Sequence, residues 1–233
     1  MAKAVGLSRS LKIEWLDKTV HLVLEGKSES DIKDELNEYL SYEIASPTNL
    51  RKTRELLMNL WVYSDESTDQ IRREALTIFR SCANERTALH WCMLLLQYPV
   101  FVDVCGLIGK LTNIQETFST SWLKERLFDE WGERTTLLHS SDKILQTLKY
   151  LNAIENQSVG NYRILRHPVT NGDAKKVIVK TILSMKQKAY YEVADLSSVP
   201  QLFPFSFDIT HEFIYNAGCF ELGNFGGKTV IVS

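Results

Sequence analysis

The longest apolar run of the sequence, residues 88–109, sets the strongest limit on what this chain can fold into. It spans 22 residues, ALHWCMLLLQYPVFVDVCGLIG, and its only strongly polar or ionisable side chains are His90, Gln97 and Asp103. About 20 apolar residues would be enough for a transmembrane helix. Pro99 stands near the middle, however, and proline breaks a helix because it has no N–H and its ring clashes with the preceding turn. The run therefore predicts two core helices of about 10 residues each and no membrane span.

The overall composition is that of a globular protein with no bulk charge to attract a polyanion. Of the 233 residues, 44% are hydrophobic and 24% are charged, and the formal net charge is −2. Any contact with nucleic acid must then come from a local basic patch. The four cysteines form no C-x-x-C pair, and the N-terminal residues contain no apolar signal segment. These features predict a cytoplasmic protein with reduced thiols.

Three short helices are predicted at the N-terminal end of the chain. The first covers residues 11–25 and is ended by Gly26, and the second begins at the capping residue Ser28. A linker of residues 41–45 leads to a third helix, which Ser46 caps. Short helices joined by a tight turn and a loop, the third with a basic start, are typical of a helix-turn-helix unit.

The third helix, SPTNLRKTRELLMNLWV, has a cationic first half. Residues 48–54 contain three cationic side chains and no acidic one. Such a helix can place its N-terminal end against phosphates and base edges. An ordinary i,i+4 ion pair between Arg51 and Glu55 on a solvated face is the alternative interpretation. The predicted DNA contacts of this helix are Thr48, Asn49, Arg51, Lys52 and Arg54.

The middle of the chain is predicted to be a helical bundle. Beyond the two halves of the apolar run, helices are expected over residues 69–83, from the cap Ser121 to Gly132, and over residues 137–154 with Ser141 as the cap. After Asn156 short strands are expected: residues 162–166, an extended segment at 199–207, and a hairpin at 219–232 around a glycine-rich loop. A helix is expected from Asp173 to about Lys188. The fold class is thus mainly α, with a helix-turn-helix-like N-terminal part (1–65), a central helical bundle (66–156) and a small C-terminal α+β part that ends in a β-hairpin (157–233).

A second basic cluster lies in the C-terminal part. Residues 158–191 contain seven cationic side chains and one acidic side chain, Asp173, in a chain whose total charge is −2. We expect phosphate contacts from these residues and, if the terminal hairpin acts as a wing, from Lys228. A lysine-rich helix face that is simply solvated is the alternative. The predicted contacts are Arg163, Arg166, Lys175, Lys176, Lys180 and Lys228.

Catalytic and metal-binding signatures were sought in the sequence, and none was found. His90 and Cys92 have no second pair to complete a zinc site and are expected to be buried core residues. His211-Glu212 lacks the second histidine of H-E-x-x-H. The glycines at 223, 226 and 227 precede a predicted strand and not a helix, so they do not form a dinucleotide fingerprint. We therefore predict no catalytic residue, no metal and no cofactor.

Taken in order along the chain, several segments resemble the BrxA family of the BREX phage-defence systems. They are SPTNLRKTRELL, the apolar run LHWCMLLLQYPVFVDVCGLIG, SSDKILQTLKYLNAI followed by GNYRILRHPV, and LFPFSFDI before the terminal hairpin. The resemblance covers nearly the whole chain. It implies a non-enzymatic protein that binds double-stranded DNA and works with other BREX proteins in host modification and phage exclusion.

Two functional hypotheses follow. In the first, the chain is a DNA-binding component that uses the two basic clusters. In the second, it is a protein-interaction adaptor without DNA contact, and exposed aromatic side chains dock a partner. The aromatic residues expected at that docking surface are Trp122, Trp131, Phe203 and Phe205.

Overall fold

The computed structural model describes residues 6–63, 67–112 and 114–232 and confirms a mainly α fold with a small C-terminal α+β part. The α-helices are α1 (Ile13–Leu24), α2 (Glu29–Ser41), α3 (Pro47–Trp61), α4 (Asp69–Ile78), α5 (Arg86–Gln97), α6 (Pro99–Thr112), α7 (Thr120–Trp131), α8 (Thr135–Tyr150), α9 (Gly172–Ser184) and α10 (His211–Ala217). Short 3-10 segments lie at Ala83–Glu85, Val193–Ser198 and Pro200–Leu202. Buried apolar side chains from Leu7 to Ile231 form one hydrophobic cluster. The division into three parts stays a prediction.

Helices α1, α2 and α3 pack on one another and form the predicted N-terminal three-helix unit. The caps are those expected from the sequence. The Asp31 N–H donates to Ser28 Oγ at 3.2 Å, and the Asn49 N–H donates to Ser46 Oγ at 3.4 Å. Gly26, with φ of +73°, allows the chain to leave α1 in the left-handed conformation that favours glycine.

Helices α5 and α6 are the two halves of the apolar run, and they are bent by 118° at the break before Pro99. Most of their side chains are buried, which confirms the predicted pair of core helices. Within the described ranges, no single helix is both long and apolar enough to cross a membrane, although Ala83–Gln97 and Pro99–Thr112 pass that test as a bent pair. Helix α5 packs against α3, α6 and α9, and α6 packs closely on Pro200–Leu202.

Several predicted helix boundaries were wrong. Helix α4 ends at Ile78 and not at 83, and α7 is capped by Ser119, which accepts the Trp122 N–H at 3.2 Å, instead of by Ser121. Ser141 does not cap a helix, because it lies inside α8 and donates to the Leu138 carbonyl at 2.8 Å. Helices α8 and α9 also end about four residues earlier than predicted. Both are followed by a non-glycine residue in the left-handed region, Asn152 at φ +55° and Lys186 at φ +49°.

Within the described residues, three small sheets complete the fold. The strands are β1 (Thr117–Ser119), β2 (Ile154–Ser158), β3 (Asn161–Ile164), β4 (His167–Pro168), β5 (Tyr190–Glu192), β6 (Phe205–Ser206), β7 (Leu222–Phe225) and β8 (Lys228–Val232). The sheet orders are β1-β3-β2, β4-β6 and β5-β8-β7, with β4 and β6 parallel and the other pairs antiparallel. The terminal hairpin is confirmed, with Gly226 and Gly227 both at positive φ in its two-residue turn. Strand β1 and the 3-10 segment at 200–202 were not predicted.

Candidate nucleic-acid interface

The N-terminal half of α3 presents two exposed cations, Arg51 and Lys52. Arg51 and Lys52 are exposed, and among residues 6–63, 67–112 and 114–232 neither is paired with a carboxylate. Their side of the helix faces solvent because Thr53, Leu56 and Leu57 turn the opposite side into the core. A cation in this state can meet an external anion without first breaking an internal contact.

Glu55 is bound by residues other than Arg51, so the alternative Arg51–Glu55 pair is wrong. Arg54 donates to Glu55 Oε1 from Nη2 at 2.5 Å and from Nε at 3.0 Å, and the Tyr63 hydroxyl donates to Oε2 at 2.7 Å. Desolvation raises the pKa of Glu55, but the hydrogen bonds from Tyr63 and Arg54 outweigh it and lower the pKa below its usual range. Near neutral pH the Glu55 carboxylate therefore stays ionised and hydrogen-bonded to Arg54 and Tyr63.

Arg54 itself differs from the other predicted cations of α3. It is half-buried, and besides Glu55 it binds Asn37 Oδ1 of α2 at 2.9 Å through Nη1. Its guanidinium thus links α3 to α2. Because its charge is already neutralised by a neighbouring carboxylate, Arg54 contributes to the position of α3 more than to the free charge of its surface.

Arg9 adds a third cation that the sequence analysis missed. Its Nη2 donates to Asn49 Oδ1 at 2.8 Å, and its Nη1 donates to the Ser8 carbonyl at 2.5 Å. Arg9 and Asn49 are 40 positions apart in the sequence, and no local pattern joins them. In the described part of the chain Arg9 has no carboxylate partner. Arg9, Thr48, Asn49, Arg51 and Lys52 together are called the α3 surface below.

Helix α2 carries the opposite charge. Its exposed positions include four acidic residues, Glu29, Asp31, Asp34 and Glu38. A phosphate backbone would be repelled from this side of the three-helix unit and attracted to the α3 surface. The unit is therefore electrically asymmetric, although the whole chain is close to neutral.

The predicted cations of the C-terminal part are mostly engaged with carboxylates. Arg163 binds Glu155, and Lys180 binds both oxygens of Glu74 at 2.5 and 2.6 Å. Lys176 pairs with Asp173 at 3.0 Å, and Lys228 pairs with Glu192 at 2.9 Å. The other two cations have no carboxylate partner in the described ranges. Of these, Arg166 donates to the Phe203 carbonyl at 3.1 Å, and the second is Lys175. These residues lie on or next to β3, α9 and β8, which belong to different parts of the fold. The structure does not gather them into one free basic surface.

The aromatic residues expected to be exposed are mainly buried, so that prediction was wrong. Trp131, Phe203 and Phe205 are 6%, 5% and 5% exposed, and Trp122 is half-buried. Trp131 donates from Nε1 to Asp103 Oδ2 at 2.8 Å. The large side chains that do face solvent include Tyr42, Tyr215 and Phe225.

The two residues considered as metal ligands, His90 and Cys92, are buried in the core of α5, as predicted. His90 lies between Trp61 and Asp17, with hydrogen bonds of 3.1 and 2.9 Å. Among the described residues, no group of three or more His, Cys, Asp or Glu side chains could hold a metal ion.

Comparisons of the chain with models of known protein families, with curated proteins and with solved structures found no match. The charges and exposure of the α3 surface are therefore the observations from which a function can be argued.

Proposed function

We propose that this chain is a non-enzymatic protein that binds double-stranded DNA through the α3 surface. The observation that carries the proposal is the state of Arg51 and Lys52, which are exposed and have no carboxylate partner among the described residues. The nearest acid in the helix, Glu55, is held by Arg54 and Tyr63. Free cations on the first turns of a helix are what a duplex backbone needs for docking. The position of α3 as the third of three packed helices supports the proposal, because the third helix of a homeodomain is the one that reads the major groove.

In this proposal each residue of the α3 surface has a separate role. Arg9, Arg51 and Lys52 contact phosphates, and the positive end of the α3 dipole supports them. Thr48 and Asn49 lie in the first turn, where side chains of a recognition helix reach base edges. The C-terminal cations contribute less, because Lys180, for example, would have to exchange Glu74 for a phosphate.

The biological setting rests on the family resemblance alone. It assigns the chain to a BREX-type phage-defence system, where it would act in the cytoplasm together with other BREX proteins. The α3 surface can neutralise only a few phosphates. This suits a component of a larger complex, because the other components supply the rest of the affinity for DNA.

The test compares two double variants that remove the same charge. Arg51→Ala with Lys52→Ala removes the unpaired cations, and Arg163→Ala with Lys228→Ala removes two cations that Glu155 and Glu192 already hold. Binding of a fluorescent duplex is measured by anisotropy over a salt series, for several unrelated sequences. We expect the first variant to weaken binding and to reduce the salt slope by about 1.8, that is, about 0.9 for each lost phosphate contact.

The control variant should bind within about two-fold of the parent chain, because its cations are already neutralised. Equal weakening by both variants would show that bulk charge, and not the α3 surface, governs binding. An unchanged affinity of the Arg51→Ala, Lys52→Ala variant at low salt would remove the α3 surface from the proposal.

The second candidate, an adaptor without DNA contact, is favoured by a different observation. Tyr190 of β5 and Phe225 of β7 pack ring to ring at 4.8 Å on the terminal sheet, and Phe225 is 61% exposed. Exposed aromatic pairs of this kind serve as anchors in protein interfaces. Capture of a BREX partner that survives high salt, together with no duplex binding at low salt, would favour the adaptor.

A further inference from the structure

Two adjoining cavities lie beside the C-terminal end of α9. The first has a volume of about 530 Å³ and is formed by the α5–α6 bend and the chain that follows α9. Its apolar lining includes Leu95, Leu96 and Val102, and its polar lining includes Asp103 and Ser184. Small-molecule sites have this size and this mixture, in which an apolar wall holds the ligand and a few polar groups orient it.

The second cavity supplies positive charge. It has a volume of about 350 Å³, its lining includes Lys110, Lys188 and Ser198, and Gln187 lines both cavities. Lys110 has no carboxylate partner in the described ranges. Lys188 pairs with Asp195 at 3.4 Å and lies over the Tyr191 ring, so it would have to exchange the Asp195 contact for a phosphate.

Lys186 lies at the rim of the first cavity in a backbone conformation that lysine rarely adopts. Its φ is +49°, and its N–H donates to the Leu183 carbonyl at 3.1 Å where α9 ends. Glycine is the usual residue at this position of a helix end, because a side chain is strained there. Such strain is found most often at functional sites. Lys186 is also exposed and, in the part of the chain that the structure describes, has no carboxylate partner.

We infer that these cavities bind a nucleoside monophosphate. The planar base would lie against the apolar wall of the first cavity, with Ser184 and Asp103 at its polar edge. The phosphate would lie near Gln187, which lines both cavities. Lys186 lines the first cavity and Lys110 and Lys188 line the second, and an ammonium group binds phosphate as a point charge. The site uses cations of the 158–191 segment that the α3 surface does not use, so it is independent of the proposed DNA contact.

The experiment titrates AMP, GMP, CMP and UMP, and the corresponding nucleosides, into the full chain by calorimetry. At least one nucleotide is expected to bind with a Kd below about 1 mM, and its nucleoside at least 10-fold more weakly. Lys110→Gln and Lys186→Gly should each weaken that nucleotide at least 5-fold. Lys175→Gln is the matched control, because Lys175 lies on α9 and lines neither cavity.

Lys186→Gly separates a binding role from a structural one. The substitution relieves the strain at φ +49°, so the variant is expected to unfold at a higher urea concentration while it binds the nucleotide less tightly. Three results would each overturn the inference: no binding of any of the four nucleotides at about 1 mM, equal binding of nucleotide and nucleoside, or unchanged nucleotide affinity in both Lys110→Gln and Lys186→Gly.

Discussion

At the scale of single residues, His90 has the most constrained surroundings. Its side chain is fully buried, and the Trp61 Nε1–H donates to its Nδ1 at 3.1 Å. The ring proton must therefore lie on Nε2, from which it donates to Asp17 Oδ1 at 2.9 Å. Burial lowers the pKa of His90, and Asp17 opposes that effect only in part. The histidine is thus held neutral and joins α1, α3 and α5.

We predict that stability falls below about pH 6.5 because of His90. Since its folded-state pKa is lowered, the unfolded chain takes up the proton first, and each pH unit below about 6.5 costs at most about 1.4 kcal/mol. Urea unfolding at pH 7.5, 6.5 and 5.5 measures this loss. His90→Gln keeps a polar side chain that does not titrate, and it should reduce the dependence on pH in this range.

Glu35, Glu43 and Glu55, the carboxylates with lowered pKa values, do not change the stability between pH 7.5 and 5.5. Their stabilisation is lost only as the pH falls through and below their usual pKa of about 4.5. If the parent chain and His90→Gln lost the same stability between pH 7.5 and 5.5, His90 would not be the residue responsible.

The residue scale also shows which part of the site could be predicted. Arg51 and Lys52 could be predicted as contacts because Glu55 is the only acidic residue within four positions of either one. The sequence therefore showed the one local ion pair that could have neutralised them. The C-terminal cluster was counted over residues 158–191, but Glu155 and Glu192 lie just outside that window. Glu74, the partner of Lys180, is 106 positions away. A charge count along the chain cannot include partners that only the tertiary fold brings into contact.

At the scale of helices and strands, the starts of α2 and α3 were predicted better than the ends of α8 and α9. Ser28 marks the start of α2, and Ser46 and Pro47 mark the start of α3. These signals are local, because a cap side chain accepts a nearby backbone N–H and a proline at the first helical position already has the φ of a helix. Glycine marks the ends of α1 and α7 equally clearly, at positions 26 and 132. Helices α8 and α9 end without glycine, at Asn152 and Lys186, so the helical pattern appeared to continue. Both ends are formed by local backbone hydrogen bonds around a left-handed residue: at α8 the Asn152 N–H donates to the Lys149 carbonyl at 2.9 Å and the Ala153 N–H donates to the Leu148 carbonyl at 2.8 Å. Because that residue is not glycine, the sequence does not mark the position.

The contact between α6 and the 200–202 segment gives a prediction at this scale. A Cβ on Gly109 would lie 1.9 Å from the Pro200 carbonyl oxygen. Gly109→Ala therefore forces two backbones apart and should lower the free energy of unfolding by about 3 kcal/mol, measured by urea denaturation.

Gly106→Ala is the matched control on the same helix. Its Cβ would meet the end of the flexible Gln201 side chain at 3.1 Å, which can move aside. The gain in helix propensity offsets that movement, so the change should stay within about 1 kcal/mol. Similar destabilisation by both variants would show that the close approach of the two backbones is not the cause.

At the scale of the whole molecule, α5 connects the parts of the chain. It packs on α3 from the N-terminal three-helix unit, on α6 from the centre and on α9 from the C-terminal part. Trp61 of α3 reaches His90 of α5, and Trp91 donates to the Gln201 carbonyl at 2.9 Å. Shared burial of this kind makes the parts depend on one another for stability.

We therefore predict a single cooperative unfolding transition. Far-ultraviolet circular dichroism reports the helices, and tryptophan fluorescence reports the surroundings of all five tryptophans, Trp15, Trp61, Trp91, Trp122 and Trp131. Both signals should change at the same urea concentration. Two separated transitions would mean that the N-terminal three-helix unit unfolds on its own.

The position of the apolar run between α4 and α7 has a consequence for biosynthesis. Helices α5 and α6 leave the ribosome well before α9 and the 200–202 segment, which later cover them. While roughly 70 to 100 further residues are translated, the most apolar segment of the nascent chain lacks the helix and the 3-10 segment that bury it in the folded protein. We expect the nascent chain to be most prone to aggregation during this interval. Co-expression of a chaperone that binds extended apolar segments should therefore raise the yield of folded protein.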